Sequence, residues 1–289
     1  MNYPNSAAFR RALEDRLRRQ SLTTGVPLIR LRKTVAFERF LARLAAEQPN
    51  RWVLKGGLAL QLRLGERART TQDIDLLLRD ALEVSNIHQA LVKAALLDLG
   101  DWFSFEVARP EGVTARRYAV RSLVDGRPFE SFHVDVGIGD PLVEAAEILP
   151  LPSLLEFAGI SATAFPCYPI SQQIAEKVHA YTRPYAAGES TRVKDWVDIL
   201  LLAQVGSLRA AILRQALTVT FEQRGTHPLP TSLPHPPASW ASTFQRLARQ
   251  TELGYHTLAE AIAAMQKFID PLLQGQAEGT WDPASWQWQ

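Results

Sequence analysis

The stretch from Leu54 to Leu78 constrains this chain more than any other. It reads as a short strand ending at Lys55, a glycine pair at Gly56-Gly57, one amphipathic helix, and a second strand, Asp73-Ile74-Asp75-Leu76-Leu77-Leu78. Two adjacent glycines let the backbone approach a ligand closely, and a helix starting just after them offers unpaired N–H groups to a phosphate. Asp73 and Asp75 stand at i and i+2. On a strand, that spacing puts both carboxylates on one face and turns Ile74 into the core. Neighbouring carboxylates repel unless a cation joins them, and hard oxygen ligands favour Mg2+. A phosphate cradle beside a Mg2+ pair is the minimum equipment for phosphoryl or nucleotidyl transfer. Taken singly, a Gly-Gly is an ordinary turn and an Asp-x-Asp an ordinary strand end. Their order, with a helix between them and an apolar run behind, is what makes the pattern specific.

Elsewhere the composition is that of a globular chain. Its 289 residues, 46% hydrophobic and 21% charged, suit one large or two modest domains. The single cysteine, Cys167, excludes an internal disulfide and a multi-cysteine metal site, which points to a reducing cytoplasm. The N-terminus is polar and then arginine-rich, without the apolar core of a secretory signal, and no apolar run reaches transmembrane length. No membrane partner is expected.

Ser6 to Gln20 reads as a helix, with Ser6 as N-cap and Phe9, Leu13 and Leu17 as its stripe; a second runs from Val26 to Ala46. Between Arg10 and Lys33 there are eight basic residues and two acidic ones, although the net charge of the whole chain is only +2. That run reads either as a solvated helix face or as an electrostatic landing strip for a polyanion such as tRNA. After Leu78 come a helix from about Leu82 to Leu99, a strand at Trp102–Val107, and two strands, Arg117–Val124 and Pro128–Val136, flanking the hairpin signal Asp125-Gly126. In Phe132-His133-Val134-Asp135-Val136 the apolar residues alternate with His133 and Asp135. An exposed edge-strand Asp is one reading of Asp135; a working carboxylate is the other. Arg109, Arg116, Arg117, Arg121 and Arg127 make the hairpin basic, either to contact phosphates or to keep an edge soluble.

From about Leu151 the pattern turns helical, with a soft boundary between Pro141 and Phe165. Expected helices are Ser171–Tyr181, capped by Ser171, then Val193–Gln204, Ser207–Arg224, Ala238–Ala248 and Leu253–Leu273. The proline-rich His227–Pro237 wraps a surface as an extended segment. Trp281, Trp286 and Trp288 are too much apolar surface for a free tail and are expected to dock on the body or a partner.

The motif Lys55-Gly56-Gly57 with Leu60, Arg69, Thr71 and Asp73-Ile74-Asp75-Leu76 resembles the signature of the AbiEii/MenT toxins, within the DNA polymerase β-like nucleotidyltransferase superfamily. Two later stretches also match that pattern: Glu176-Lys177-Val178-His179-Ala180 and Lys194-Asp195-Trp196-Val197-Asp198-Ile199. The chain departs from the family at Leu58, where a Ser or Thr usually follows the second glycine and helps hold the phosphates. The resemblance implies an α+β fold: a nucleotidyltransferase domain with a small mixed sheet over residues 1–150, then a helical C-terminal domain over 151–289 completing the active-site cleft. It implies that Asp73, Asp75 and Asp135 hold Mg2+ and that Lys55, Gly56, Gly57, Thr71 and Lys177 bind the nucleotide. Asp135 would also activate the acceptor hydroxyl, and Asp195 would orient Lys177 or the nucleobase end. By residue type alone, Lys177 and Asp195 read as surface helix charges and His179 as structural. The implied activity is nucleotide addition from an NTP to an RNA, the tRNA 3′ end, blocking translation as the toxin opposed by an antitoxin protein. Two other readings use the same residues: transfer to a small molecule or a protein, and a catalytically silent nucleotide-binding protein.

Overall fold

The computed structural model describes residues 3–79, 84–110, 112, 116–184 and 191–289. The chain divides into two compact units. One comprises Met1–Leu62, Thr70–Gly139 and Glu147–Cys167, the other Arg63–Arg69, Asp140–Ala146 and Tyr168–Gln289.

The first unit is a mixed sheet backed by helices. Helices α1 (Ser6–Thr24) and α2 (Leu28–Glu47) lead to β1 (Trp52–Lys55), the glycine-started helix α3 (Gly56–Leu64), β2 (Ile74–Leu78) and α4 (Val84–Ala95). Strands β3 (Phe103–Val107), β4 (Arg117–Val124), β5 (Arg127–Ile138), β6 (Glu147–Pro150) and β7 (Ala164–Cys167) complete it. The spatial order is β3-β4-β5-β2-β1-β7-β6, with β2 parallel to β5 and β1 parallel to β7. Phe9, Leu13, Phe40, Leu76, Tyr118 and Val134 sit in one core between sheet and helices. A second tie is ionic: buried Arg43 makes a forked pair with Asp101 at 2.9 and 2.7 Å and donates to the Phe103 carbonyl at 2.7 Å. An arginine so enclosed is tolerable because its charge is paired and both terminal nitrogens find acceptors.

Several boundaries differ from the sequence expectation. Asn5, not Ser6, caps α1, accepting from the Ala8 N–H at 2.8 Å; Ser6 instead donates to Asp125. Leu82, where the fourth helix was expected to start, lies outside the described residues. The pair β6 and β7 went unread because strands of four residues broken by Pro150 and Pro166 carry no usable period. Asp135 lies on β5, an interior strand between β4 and β2, which removes the edge-strand reading.

The second unit is helical: α5 (Ile170–Thr182), α6 (Val193–Val205), α7 (Ala210–Arg224), α8 (Ala241–Gln250) and α9 (Leu258–Leu273). Helix α5 starts after Pro169 rather than from a Ser171 cap, since proline presets the entry φ and Ser171 donates to Glu144. Helix α9 starts at Leu258, not Leu253, where Thr257 and Glu260 form a reciprocal capping box. The extended 227–237 segment is irregular, as its prolines require. The C-terminal tryptophans dock on the body of this unit: Trp281 donates to Ala203, Trp286 to Ala264 and Trp288 to Phe268 main-chain oxygens, each at 2.9 Å. Trp281 and Trp288 face each other on the two-residue strands β8 (Trp281–Asp282) and β9 (Gln287–Trp288).

Candidate active site

Strand register sets a row of charge across the first unit's sheet. Lys55 on β1 stands opposite Asp75 on β2, Asp75 opposite Asp135 on β5, and Asp135 opposite Arg117 on β4. With strands about 4.8 Å apart, cation, carboxylate, carboxylate and cation line up on one face. Asp73 precedes β2 rather than lying on it, yet joins the same group. Its carboxylate accepts from Arg117 Nη2 at 2.7 Å and from the His133 main-chain N–H at 3.2 Å, with His133 Nδ1 3.3 Å away. Arg117 Nη1 donates to Asp135 Oδ2 at 2.6 Å, so one guanidinium spans two of the three carboxylates.

Gly56 closes the group from the helix side. Its φ of +64° lies in the left-handed region, and a Cβ there would fall 1.9 Å from Asp75 Oδ2. The first turn of α3 therefore lies against that carboxylate, and only glycine allows the approach. Leu58, two residues on, is buried in the core at 4% exposure, with Leu62 packed against the same cluster.

The two carboxylates that share Arg117 are driven apart in acidity. Burial works to raise the pKa of Asp73, but the hydrogen bonds from Arg117 and the His133 N–H outweigh it and hold the group below the usual carboxylate range. At Asp135 burial prevails over Arg117, Asp73 adds repulsion, and the pKa is raised. Such splitting is how neighbouring carboxylates take different roles, one staying an anion and the other exchanging protons. A groove of about 680 Å³ adjoins them, bordered by Asp73, Arg117, His133 and Ser131 over a floor that includes Ala119 and Phe132.

Asp75 and Asp135 on paired strands, with Asp73 just ahead of β2, form an all-oxygen donor set suited to Mg2+, and the close approach of Gly56 leaves Asp75 no side chain to contend with from α3. Among the described residues, no three His, Cys, Asp or Glu side chains converge as a finished metal cage; Asp73 and Asp135 turn to Arg117 instead.

In the second unit, Lys177 on α5 reaches Asp198 Oδ2 at 2.6 Å and Asp195 Oδ1 at 3.1 Å, both on α6. Arg69 holds Asp198 from the other side at 3.0 Å, and Arg192 lies 3.5 Å from Asp195. Burial opposes the charge on Lys177, yet Asp198 and Asp195 together raise its pKa above the ordinary lysine value. These are buried groups, not the surface helix charges that residue type alone suggested.

Sequence reasoning missed Arg117, His133 and Asp198 as members of these clusters. Arg117 and His133 are found only through strand register. Asp198 was visible as the i+3 partner of Asp195, and its complete burial was the missing signal. Thr71, expected beside the phosphates, donates its hydroxyl to the Asp73 carbonyl at 3.2 Å and shapes the turn into β2. Much of the basic run from Arg10 to Lys33 is structural. Arg10 donates to the Val124, Arg127 and Pro128 carbonyls, Arg32 pairs with Glu14, Arg16 lies over Phe157, and Lys33 donates to the Gln72 carbonyl. Those cations tie α1 and α2 to the rest of the unit.

The profile of the nucleotidyl transferase AbiEii toxin family, type IV toxin–antitoxin system, matches residues 39–288. Among solved structures the chain is similar to MenT4, a nucleotidyltransferase toxin from Mycobacterium tuberculosis H37Rv. The match has a TM-score of 0.56 at 19% identity and covers 91% of this chain and 98% of that one. It also matches JHP933 from Helicobacter pylori, with a TM-score of 0.43 at 15% identity, over 84% of this chain and 94% of that one. No curated protein matches the sequence. The MenT4 likeness extends over nearly the whole of both chains and supports the same fold.

Proposed function

This chain belongs to the AbiEii family of nucleotidyltransferase toxins, and from that membership we propose a Mg2+-dependent transfer of a nucleotide from an NTP to an RNA hydroxyl, the tRNA 3′ end. The observation that carries this reading is the register of Asp75 against Asp135, with Asp73 tied to Asp135 through Arg117 and with Gly56 pressed against Asp75. Asp73, Asp75 and Asp135 would hold the metal, which when bound supplies charge neutralisation on the triphosphate and Lewis acidity at the α-phosphorus. The main-chain N–H groups of Gly56 and Gly57, at the start of α3, face the phosphates, where a helix N-terminus favours an anion. The acceptor oxygen attacks the α-phosphorus, the bond to the bridging oxygen breaks, and pyrophosphate leaves. Asp135, paired in register with Asp75, would take the acceptor's proton. Lys55 flanks Asp75 and lowers the local negative charge. Lys177 is the cation we assign to the triphosphate as pyrophosphate departs. Its bonds to Asp195 and Asp198 favour an orienting role for Asp195.

Blocked translation is the outcome such a modification of tRNA would have, and an antitoxin partner goes with a type IV toxin–antitoxin family. No described helix is long and apolar enough to cross a membrane. The test is incubation of the purified protein with labelled NTPs and total tRNA, with Mg2+ or with excess chelator. Label on tRNA that disappears with the chelator supports the proposal. Label on protein or on a small molecule reassigns the acceptor. No label from any NTP contradicts the activity.

A further inference from the structure

Arg117 is hydrogen-bonded to both Asp73 and Asp135, two of the three carboxylates assigned above to the metal. Its two terminal nitrogens go to different residues, Nη1 to Asp135 and Nη2 to Asp73, so a single group does what a bridging divalent ion would do. A guanidinium left in that position would stand within a few ångströms of an arriving cation, and both would compete for the same oxygens. The side chain is also able to leave. It is 52% exposed, rises from the face of β4 opposite the buried Tyr118, and borders the groove of about 680 Å³ beside the carboxylates. It can turn into that space while the β4 backbone stays paired to β5.

We propose that Arg117 is a built-in counter-cation of this carboxylate group, which a divalent metal displaces on binding. This inference rests on the metal assignment of the proposed function. Without metal, Arg117 keeps mutually repelling carboxylates close together; with metal, it must give up both hydrogen bonds. Its presence therefore weakens metal binding. A purely structural arginine would do the opposite, since its loss would let the carboxylates spread and the metal site degrade.

Binding of Mn2+ by the full-length protein, followed through the electron paramagnetic resonance of the free ion and competed with Mg2+, separates the two cases. Arg117→Ala is expected to bind Mn2+ more tightly than the unmodified protein, by roughly tenfold for two exposed charge-assisted hydrogen bonds. Arg117→Lys, whose single ammonium cannot span both carboxylates, should fall between. Circular dichroism melting confirms that each variant is folded, and Arg117→Gln serves if the alanine variant is not. Unchanged or weaker Mn2+ binding in the folded variants overturns the inference while leaving the metal assignment standing. No site-specific binding in any of the proteins removes the metal assignment and this inference with it.

Discussion

At position 56 there is no room for a side chain of any kind. The left-handed φ alone costs a residue with a Cβ about 1–2 kcal/mol, and the Cβ would overlap Asp75 Oδ2 at 1.9 Å. Gly56→Ala must therefore push Asp75 or the first turn of α3 away. A displacement of that order costs about a hundredfold in rate when the displaced group serves the chemistry. We expect that loss in transfer assays, with only a modest fall in thermal melting; full activity would mean that the Gly56–Asp75 contact is not part of the site. Leu58 behaves differently from what the sequence suggests. A Ser there, as in most of the family, would be expected to add a phosphate contact and lower KM for the NTP. In this chain the side chain at 58 points into the core, so Leu58→Ser leaves a cavity and an unpaired hydroxyl. The expected outcome is a drop in Tm on the order of 5–10 °C with no improvement in KM. A lower KM at unchanged Tm would show that position 58 faces the phosphates after all.

At the scale of elements, helix α5 and the start of the extended segment are joined by a histidine pair. His179 Nε2 lies 2.8 Å from Thr226 Oγ1, His227 Nε2 lies 2.8 Å from Thr182 Oγ1, and the two rings are 4.8 Å apart. Burial, followed by repulsion from His227, Arg224 and Arg183, lowers the pKa of His179 from 6.5 to about 4. Between those values the unfolded chain binds a proton that the folded chain refuses. The contribution of His179 is thus complete above pH 6.5 and is lost as pH falls toward 4, by up to about 3 kcal/mol. Urea unfolding at pH 7 and pH 5 should show a smaller acid loss in His179→Gln than in the unmodified protein; equal losses would remove His179 as the cause. The main helices and the order strand, glycine turn, helix, acidic strand were legible in the sequence because each carries its own period or punctuation. The charge row from Lys55 to Arg117 was not, because it depends on which strands become neighbours. Arg117 and Asp135 are 18 residues apart, and Asp75 and Asp135 are 60 apart, with nothing local to announce the pairing.

On the scale of the whole molecule, each compact unit holds one of the two ionic clusters assigned to the site. The carboxylates with Arg117 are only partly enclosed, whereas Lys177, Asp195 and Asp198 are buried. Family membership was legible because short motifs are spread from Lys55 to Ile199, so no single match had to carry it. The role of the N-terminal arginines was not, since Arg10 and Arg32 gain their partners only when α1 and α2 meet each other and the hairpin. The central claim is that the carboxylates registered across β2 and β5 carry out nucleotidyl transfer. It is tested most directly by the rate of label transfer from NTP to the acceptor in Asp75→Asn and Asp135→Asn, against Asp15→Asn as an exposed control, all matched for thermal melting. We predict a loss of at least about a hundredfold in the first two and none in the control. Near-normal transfer by either folded variant would contradict the claim.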